Sequence, residues 1–264
     1  MYIIYNNLPT ESYDYTYSPQ SGFLDHNKQH IEKPEYGSII YTHIVHLQIL
    51  CNILKKLDGK FIVVLIMGDD TVLSNNNNVV TLINRTISLP DSIYRLYSKN
   101  VSINDDLVRC MPIGMLGGHP KYMDKINTDN KQERVYCNFK LWTHPGRQAC
   151  LDTCKKLPFV DVGGNLSDEA YINVLAKYCF CLCPRGNGLD TYRFWESLYV
   201  KTIPIIIKND VIPQFIDKVP VIVLKNWEQL QSTELKYDYW DSDIIKTSYW
   251  TKVLRDDQTC CRLN

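Results

Sequence analysis

One stretch limits the possible folds more than any other. Tyr178–Leu182 is an apolar run, Thr191–Val200 is amphipathic with helical spacing, and Ile203–Ile207 is apolar again. Between the first two lies Cys183-Pro184-Arg185-Gly186-Asn187-Gly188-Leu189-Asp190. Strand, tight loop, helix and strand within roughly thirty residues close as a right-handed parallel unit, and a parallel sheet needs cover on both faces. Gly186 and Gly188 let the loop turn sharply around Asn187 and let a ligand approach the backbone. The loop opens a helix, and a helix N-terminus presents free N–H groups where the macrodipole favours an anion.

The charged residues of this stretch extend that reading. Arg185 precedes the glycines and Arg193 lies one turn into the helix. Guanidinium groups pair with phosphate oxygens through two parallel hydrogen bonds. Glu196 shares a helix face with Arg193 at i, i+3. The pair reads either as a surface ion pair worth less than ~1 kcal/mol or as a phosphate cation beside a carboxylate that accepts ribose hydroxyls. Only the second reading accounts for the glycines placed before it. Phe194, Trp195 and Leu198 read as core. Together these residues point to a loop that holds the diphosphate and ribose of a nucleotide sugar.

The rest of the chain alternates in the same way. Lys60–Met67 is nearly continuous in apolar character, as a parallel strand buried on both faces would be, and ends in Gly68-Asp69-Asp70-Thr71. Open α/β sheets place ligands at the ends of such strands, so Asp69 and Asp70 are candidate catalytic groups, with capping of a turn as the simpler role. Residues 6–33 read as a polar loop carrying His26 and His30, and a strand over Gly37–Tyr41 precedes a helix from Thr42 or His43 to Leu57. Ser74–Asn78 reads as a loop, Val79–Ile83 as a strand, Pro90–Tyr97 as a helix with Pro in its first turn, and Arg109–Ile113 as a strand. The polar stretch Tyr122–Arg134 reads as a link. Beyond it follow strand Val135–Phe139, a loop with His144, helix Arg147–Leu157, strand Phe159–Val162, a helix capped by Ser167, the opening unit, strand Val219–Leu224 and a tail with helical pieces. Arg147 opens its helix after a strand, as Arg193 does, and is either a second phosphate ligand or an exposed helix arginine. The alternation predicts an α/β protein of two Rossmann-like halves, 1–130 and 131–264, facing a cleft, with the last helix able to pack back on the first half.

Lys plus Arg equals Asp plus Glu at 29 each, which argues against a nucleic-acid partner, since affinity for a phosphate backbone needs a net basic surface. The 10 cysteines show no zinc-ligand spacing. Cys179, Cys181 and Cys183 alternate on one strand face, where disulfides are geometrically poor, so reduced buried thiols are expected. The N-terminus lacks the basic and long apolar regions of a signal peptide, and no window approaches the roughly 18 apolar residues of a membrane span. These features set the expectation of a soluble cytoplasmic protein. The Gly-rich loop is neither a Walker loop nor the dinucleotide fingerprint, because both spacings are missing.

Cys183 to Leu198 followed by Ile203-Pro204-Ile205 resembles the signature of exostosin-like glycosyltransferases. Met67 to Thr71, Met111-Pro112-Ile113-Gly114, Asn138-Phe139 with Arg147, and Val221–Trp227 fall in the order seen in short members of that group, so the likeness extends over roughly residues 60–250. Gly-Asp-Asp-Thr stands where the family has a longer acidic motif. Length and composition are similar to those of soluble members from large DNA viruses or bacteria. The resemblance implies a GT-B fold. It implies donor binding by the C-terminal half through Arg147, Arg185, Gly186, Asn187, Gly188, Arg193 and Glu196, and acceptor binding by the N-terminal half. It also implies inverting, metal-independent transfer from a UDP-sugar, with UDP-xylose favoured, to a hydroxyl of a glycan or glycoprotein acceptor, with no cofactor. Asp70 or Asp69 is the first choice for the general base, with His26 or Asp25 next. Two rival readings stand beside it: a GT-A enzyme whose Asp69 and Asp70 hold Mn²⁺, and a non-catalytic glycan- or nucleotide-binding module.

Overall fold

The computed structural model describes residues 8–66, 72–82, 85–102, 105–116, 120–123, 125–208 and 216–263. These divide into two compact units, one within residues 8–111 and 246–263 and one within residues 112–245. The first contains β1 (Tyr15–Ser18), β2 (Gly22–Leu24), β3 (His30–Ile31), β4 (Ile39–His43), α1 (Leu47–Leu54), β5 (Phe61–Ile66), β6 (Ser74–Asn76), β7 (Val79–Leu82), β8 (Arg85–Ser88), β9 (Ile93–Ser98), β10 (Val108–Cys110) and the C-terminal helix Thr247–Leu263. The second contains α2 (Pro120–Met123), β11 (Gln132–Cys137), α3 (Gly146–Cys154), β12 (Val160–Val162), α4 (Asp168–Leu175), β13 (Tyr178–Leu182), α5 (Tyr192–Tyr199), β14 (Ile203–Ile207) and β15 (Ile222–Leu224).

In the first unit one sheet runs β10-β9-β5-β4-β1-β2-β3. β1, β4, β5, β9 and β10 are parallel, while β2 and β3 return antiparallel at one edge. β5 is central, and Phe61 to Leu65 are all buried, as its unbroken apolar run requires. The C-terminal helix is held by polar contacts. Arg255 and Gln258 both donate to the Asp14 carboxylate, at 2.7 Å and 2.6 Å, and Asp14 also accepts the Ile39 N–H at 2.8 Å. Asp257 accepts from Tyr97 and Arg109 and lies 3.6 Å from Arg95 Nε.

The second unit carries a five-stranded parallel sheet in the order β12-β11-β13-β14-β15. The chain leaves β11 toward β12 and then crosses to β13 on the other side. The topological switch point therefore lies between β11 and β13. Val135, Cys150, Cys154, Phe180, Ile205 and Trp227 belong to its core. Both sheets are parallel-rich, consistent with two Rossmann-like domains of the GT-B type. No helix among the described residues is long and apolar enough to cross a membrane.

Several local expectations give way. Residues 13–33 form the β1–β2–β3 edge instead of a loop: Tyr17 and Phe23 are buried and their rings meet at 5.0 Å, while the outward faces keep the polar residues that suggested a loop. Residues 93–98 form β9 and not a helix. Ile93, Leu96 and Tyr97 stand at i, i+3, i+4, which mimics helical spacing, but the strand lies between β5 and β10 and buries residues from both faces. Ser74–Asn78 holds a strand and a two-residue turn, where Asn77 and Asn78 take φ of 48° and 63° and Asn76 pairs with Val79, as a type I′ hairpin requires. The helix expected from Thr42 starts at Leu47, because the strand runs on to His43 and a 3-10 turn follows. All ten cysteines are free and all but Cys260 are buried. Burial pushes the Cys51 and Cys137 thiols up to about 12, so they are inert core groups.

Candidate nucleotide site at the switch point

Three loops leave the C-terminal ends of β12, β11 and β13, and side chains tie them together. Arg147, on the first turn of α3, is 6% exposed. Its Nη1 donates to the Lys140 carbonyl at 2.9 Å, its Nε to the Arg185 carbonyl at 2.8 Å and its Nη2 to the Pro184 carbonyl at 3.3 Å. One guanidinium thus joins the loop after β11 to the Gly-rich loop after β13. Asn138 Nδ2 accepts nothing and donates twice, to the Tyr136 hydroxyl at 2.8 Å and to the Gly164 carbonyl at 3.0 Å, which joins the loop after β11 to that after β12. A Cβ on Gly163 would lie 2.5 Å from the Tyr136 hydroxyl, and one on Gly186 would lie 3.1 Å from Arg147 Nη2. Close approach requires glycine at 163, whereas at 186 a side chain would press on the Arg147 guanidinium.

The Gly-rich loop keeps its shape through Asp190, whose role the sequence reading missed. This buried carboxylate accepts Trp195 Nε1 at 2.7 Å and the Ile113 N–H at 2.6 Å. It sits five residues before a buried tryptophan, on the same loop-to-helix turn, and that spacing was the available signal. Thr191 caps α5, its hydroxyl accepting the Phe194 N–H at 3.4 Å. Trp195 and Leu198 are fully buried, as expected of core residues.

Arg193 projects from α5 between two rings, its guanidinium 5.9 Å from the Phe139 centroid and 5.5 Å from that of Tyr171. Its Nε is buried and has no hydrogen-bond partner among the described residues. Burial opposes its charge, but the electrostatics of Tyr171, Cys181, Cys183 and Glu196 outweigh that and raise its pKa. Glu196 is 3% exposed and lies close enough to Arg193 to favour its charge. Arg185 is less buried and curls over the loop, donating from Nη2 to the Asn187 carbonyl at 3.2 Å. Asn187 is exposed, while Gly186 and Gly188 are buried. The structure therefore gathers Arg147, Arg185, Gly186, Asn187, Gly188, Arg193 and Glu196 around the switch point, where open α/β sheets bind ligands. Their jobs differ: Arg147 spends its donors on backbone carbonyls, whereas Arg193 has a donor to spare.

The candidate base residues are placed differently. Asp69 and Asp70 lie outside the described residues, and β5 ends at Ile66, three positions earlier. His26 follows β2, whose Leu24 pairs with Thr16 near the start of β1, and its exposed ring lies 5.2 Å from Tyr13. That is the N-terminal edge of the parallel strands, opposite the end at which β5 finishes at Ile66. Asp25 is spent on an Asx turn, accepting the Asn27 and Gln29 N–H groups at 2.9 Å and 2.8 Å. His43, which the sequence reading took only as a possible helix start, ends β4 beside Ile66 and caps the next turn by accepting the Val45 N–H at 3.2 Å. Among the described residues no group of three or more His, Cys, Asp or Glu could hold a metal ion.

No family model matches the chain. Among curated proteins it is 29% identical over 108 residues to the probable beta-1,4-xylosyltransferase IRX10 of Arabidopsis thaliana, covering 41% of this chain and 24% of that one. It is 27% identical over 128 residues to the probable glucuronosyltransferase GUT1 of Oryza sativa subsp. japonica, covering 48% of this chain and 28% of the relative. The matched segments thus span about a quarter of the length of those relatives. Over that part of its length the chain is a distant homologue of plant glycosyltransferases of the exostosin family.

Proposed function

We propose that this chain is a glycosyltransferase that moves a sugar from a UDP-sugar to a hydroxyl of a glycan acceptor, with inversion at the anomeric carbon and without a metal. The observation that carries the reading is Arg193: a half-buried arginine whose buried Nε is unspent, set at the helix opening that follows a Gly-rich loop. The diphosphate lies against Arg193, Arg185 and the N-terminus of α5, and the charge it gains on leaving is neutralised there. Glu196 is assigned the ribose hydroxyls, and Arg147 fixes the loop that presents the others. The general base is assigned to Asp70, with Asp69 next, from their position in the chain directly after β5. It takes the proton of the acceptor hydroxyl, the acceptor oxygen bonds to the anomeric carbon, and the bond to the diphosphate breaks. The names of the relatives favour a xylosyl or glucuronosyl donor, and UDP-xylose is the first choice.

The test is release of UDP from a panel of UDP-sugars with xylan-type and other glycan acceptors, in EDTA. Acceptor-dependent release that persists in EDTA is expected. Release that needs Mn²⁺ would support the metal-dependent alternative, and no release from any donor would leave a binding module.

A further inference from the structure

The loops at the switch point differ in character, and the apolar ones point to a further residue. Arg185 and Arg193 follow β13. On the β11–β12 side stand Trp142, 78% exposed, with Leu141, Leu166 and Val162 at 38%, 39% and 51%. Trp195, Trp227 and Trp250 are at most 5% exposed and Trp240 is half-buried. Trp142 is displayed on a fixed support. It lies in the 3-10 turn Leu141–Thr143, whose entry carbonyl, Lys140, accepts both Arg147 Nη1 at 2.9 Å and Thr143 Oγ1 at 3.3 Å. His144 then closes the turn onto α3, its Nδ1 accepting the Gly146 N–H at 3.1 Å. The next residue after Trp142 reaches the phosphate loop, for Thr143 Oγ1 would lie 3.9 Å from a Cβ on Gly186. The Lys140 ammonium lies 5.9 Å from the indole centroid.

We propose that Trp142 is the platform on which the base of the bound nucleotide stacks, a role that rests on the nucleotide-sugar reading above. A nucleotide is itself amphipathic, with charge at the phosphates and an apolar π-face at the base. The loops have the matching division, and the clamp through Arg147 ties the turn that carries Trp142 to the loop assigned to the phosphates. Stacking of a base on an aromatic ring is tolerant of base identity, so Trp142 contributes affinity, and selection of uracil falls to groups at its edge.

Titration calorimetry of the full chain with UDP and, separately, with inorganic pyrophosphate tests this. Trp142→Ala is expected to weaken UDP roughly 5- to 150-fold, the usual loss when an aromatic platform is truncated, and to leave pyrophosphate unchanged. Trp142→Phe is expected to recover most of the UDP affinity. Because the side chain is exposed, thermal melting of both variants should match wild type. Equal loss of UDP and pyrophosphate would show that Trp142 only supports the loop, and unchanged UDP affinity with a raised KM for the glycan acceptor would place it against the acceptor; either result overturns the proposal alone. Failure of wild type to bind UDP or pyrophosphate would overturn the nucleotide-sugar reading and the proposal with it.

Discussion

Three side chains of the second unit illustrate how single residues carry this structure. Asp190 is a buried carboxylate with two donors on it, Trp195 Nε1 and the Ile113 N–H. Hydrogen bonds to a charged group contribute about 1.5–3 kcal/mol each, and truncation also leaves the donors unsatisfied. Asp190→Ala should therefore lower stability by roughly 3 kcal/mol or more, and Asp190→Asn by less, read from urea midpoints at constant m; a loss near zero would mean that the loop is shaped by something else. Arg193 differs because its value lies in what it can still donate to. Arg193→Ala should weaken UDP about 10- to 100-fold, the loss of one or two charge-assisted bonds. Arg193→Lys should recover little of it, since an ammonium lacks the planar fork.

Lys131 gives a pH signature. Its ammonium donates to the Ala176 carbonyl at 2.6 Å, the Tyr178 carbonyl at 3.2 Å and Thr202 Oγ1 at 3.0 Å, all neutral acceptors. Burial lowers its pKa from 10.5 to about 8. Between those values the unfolded chain holds a proton that the folded chain has released, so folded stability rises with pH through that window. Relative to Lys131→Met, wild type should gain stability from pH 8 to pH 10.5, by at most about 3.5 kcal/mol given ~1.4 kcal/mol per unit. Parallel stability profiles for the two proteins would contradict the burial assignment.

Among the elements, the unit from β13 to β14 could be read from the chain because each part has an unambiguous local cause. β13 is short, apolar and covered on both faces, Thr191 is a good N-cap, and the apolar residues of α5 recur at one period. The neighbouring failures have causes too. β9 was hidden because Ile93, Leu96 and Tyr97 fit a helix as well as a doubly buried strand, and no local term separates the two at six residues. β1 to β3 were hidden because an edge strand with one wet face carries polar residues, and their pairing partners lie elsewhere in the chain. Asp190 and Arg147 are tertiary facts: the sequence shows a carboxylate and an arginine near a turn, but not the carbonyls and N–H groups that reach them. Gly163 belongs with these, since it is required by contact and not by φ. Gly163→Ala should drive the Tyr136 hydroxyl and Asn138 apart, destabilise the protein by about 1–3 kcal/mol through overpacking, and weaken UDP by loosening the loops. Unchanged melting would show that the two loops have slack.

For the molecule as a whole, the α/β class, the parallel sheets and the position of the Gly-rich loop after β13 all followed from alternation and from one signature. The proposed donor binding rests on the second unit, where Arg147 joins two loops at the switch point and Arg193 keeps a buried Nε without a partner among the described residues. The measurement that bears most directly on this is calorimetric titration of UDP, in EDTA, into wild type, Arg193→Ala and Asp70→Ala. Submillimolar binding by wild type, at least about 10-fold weaker binding by Arg193→Ala and wild-type affinity in Asp70→Ala are expected. Equal losses in both variants, or no binding by wild type, would contradict it.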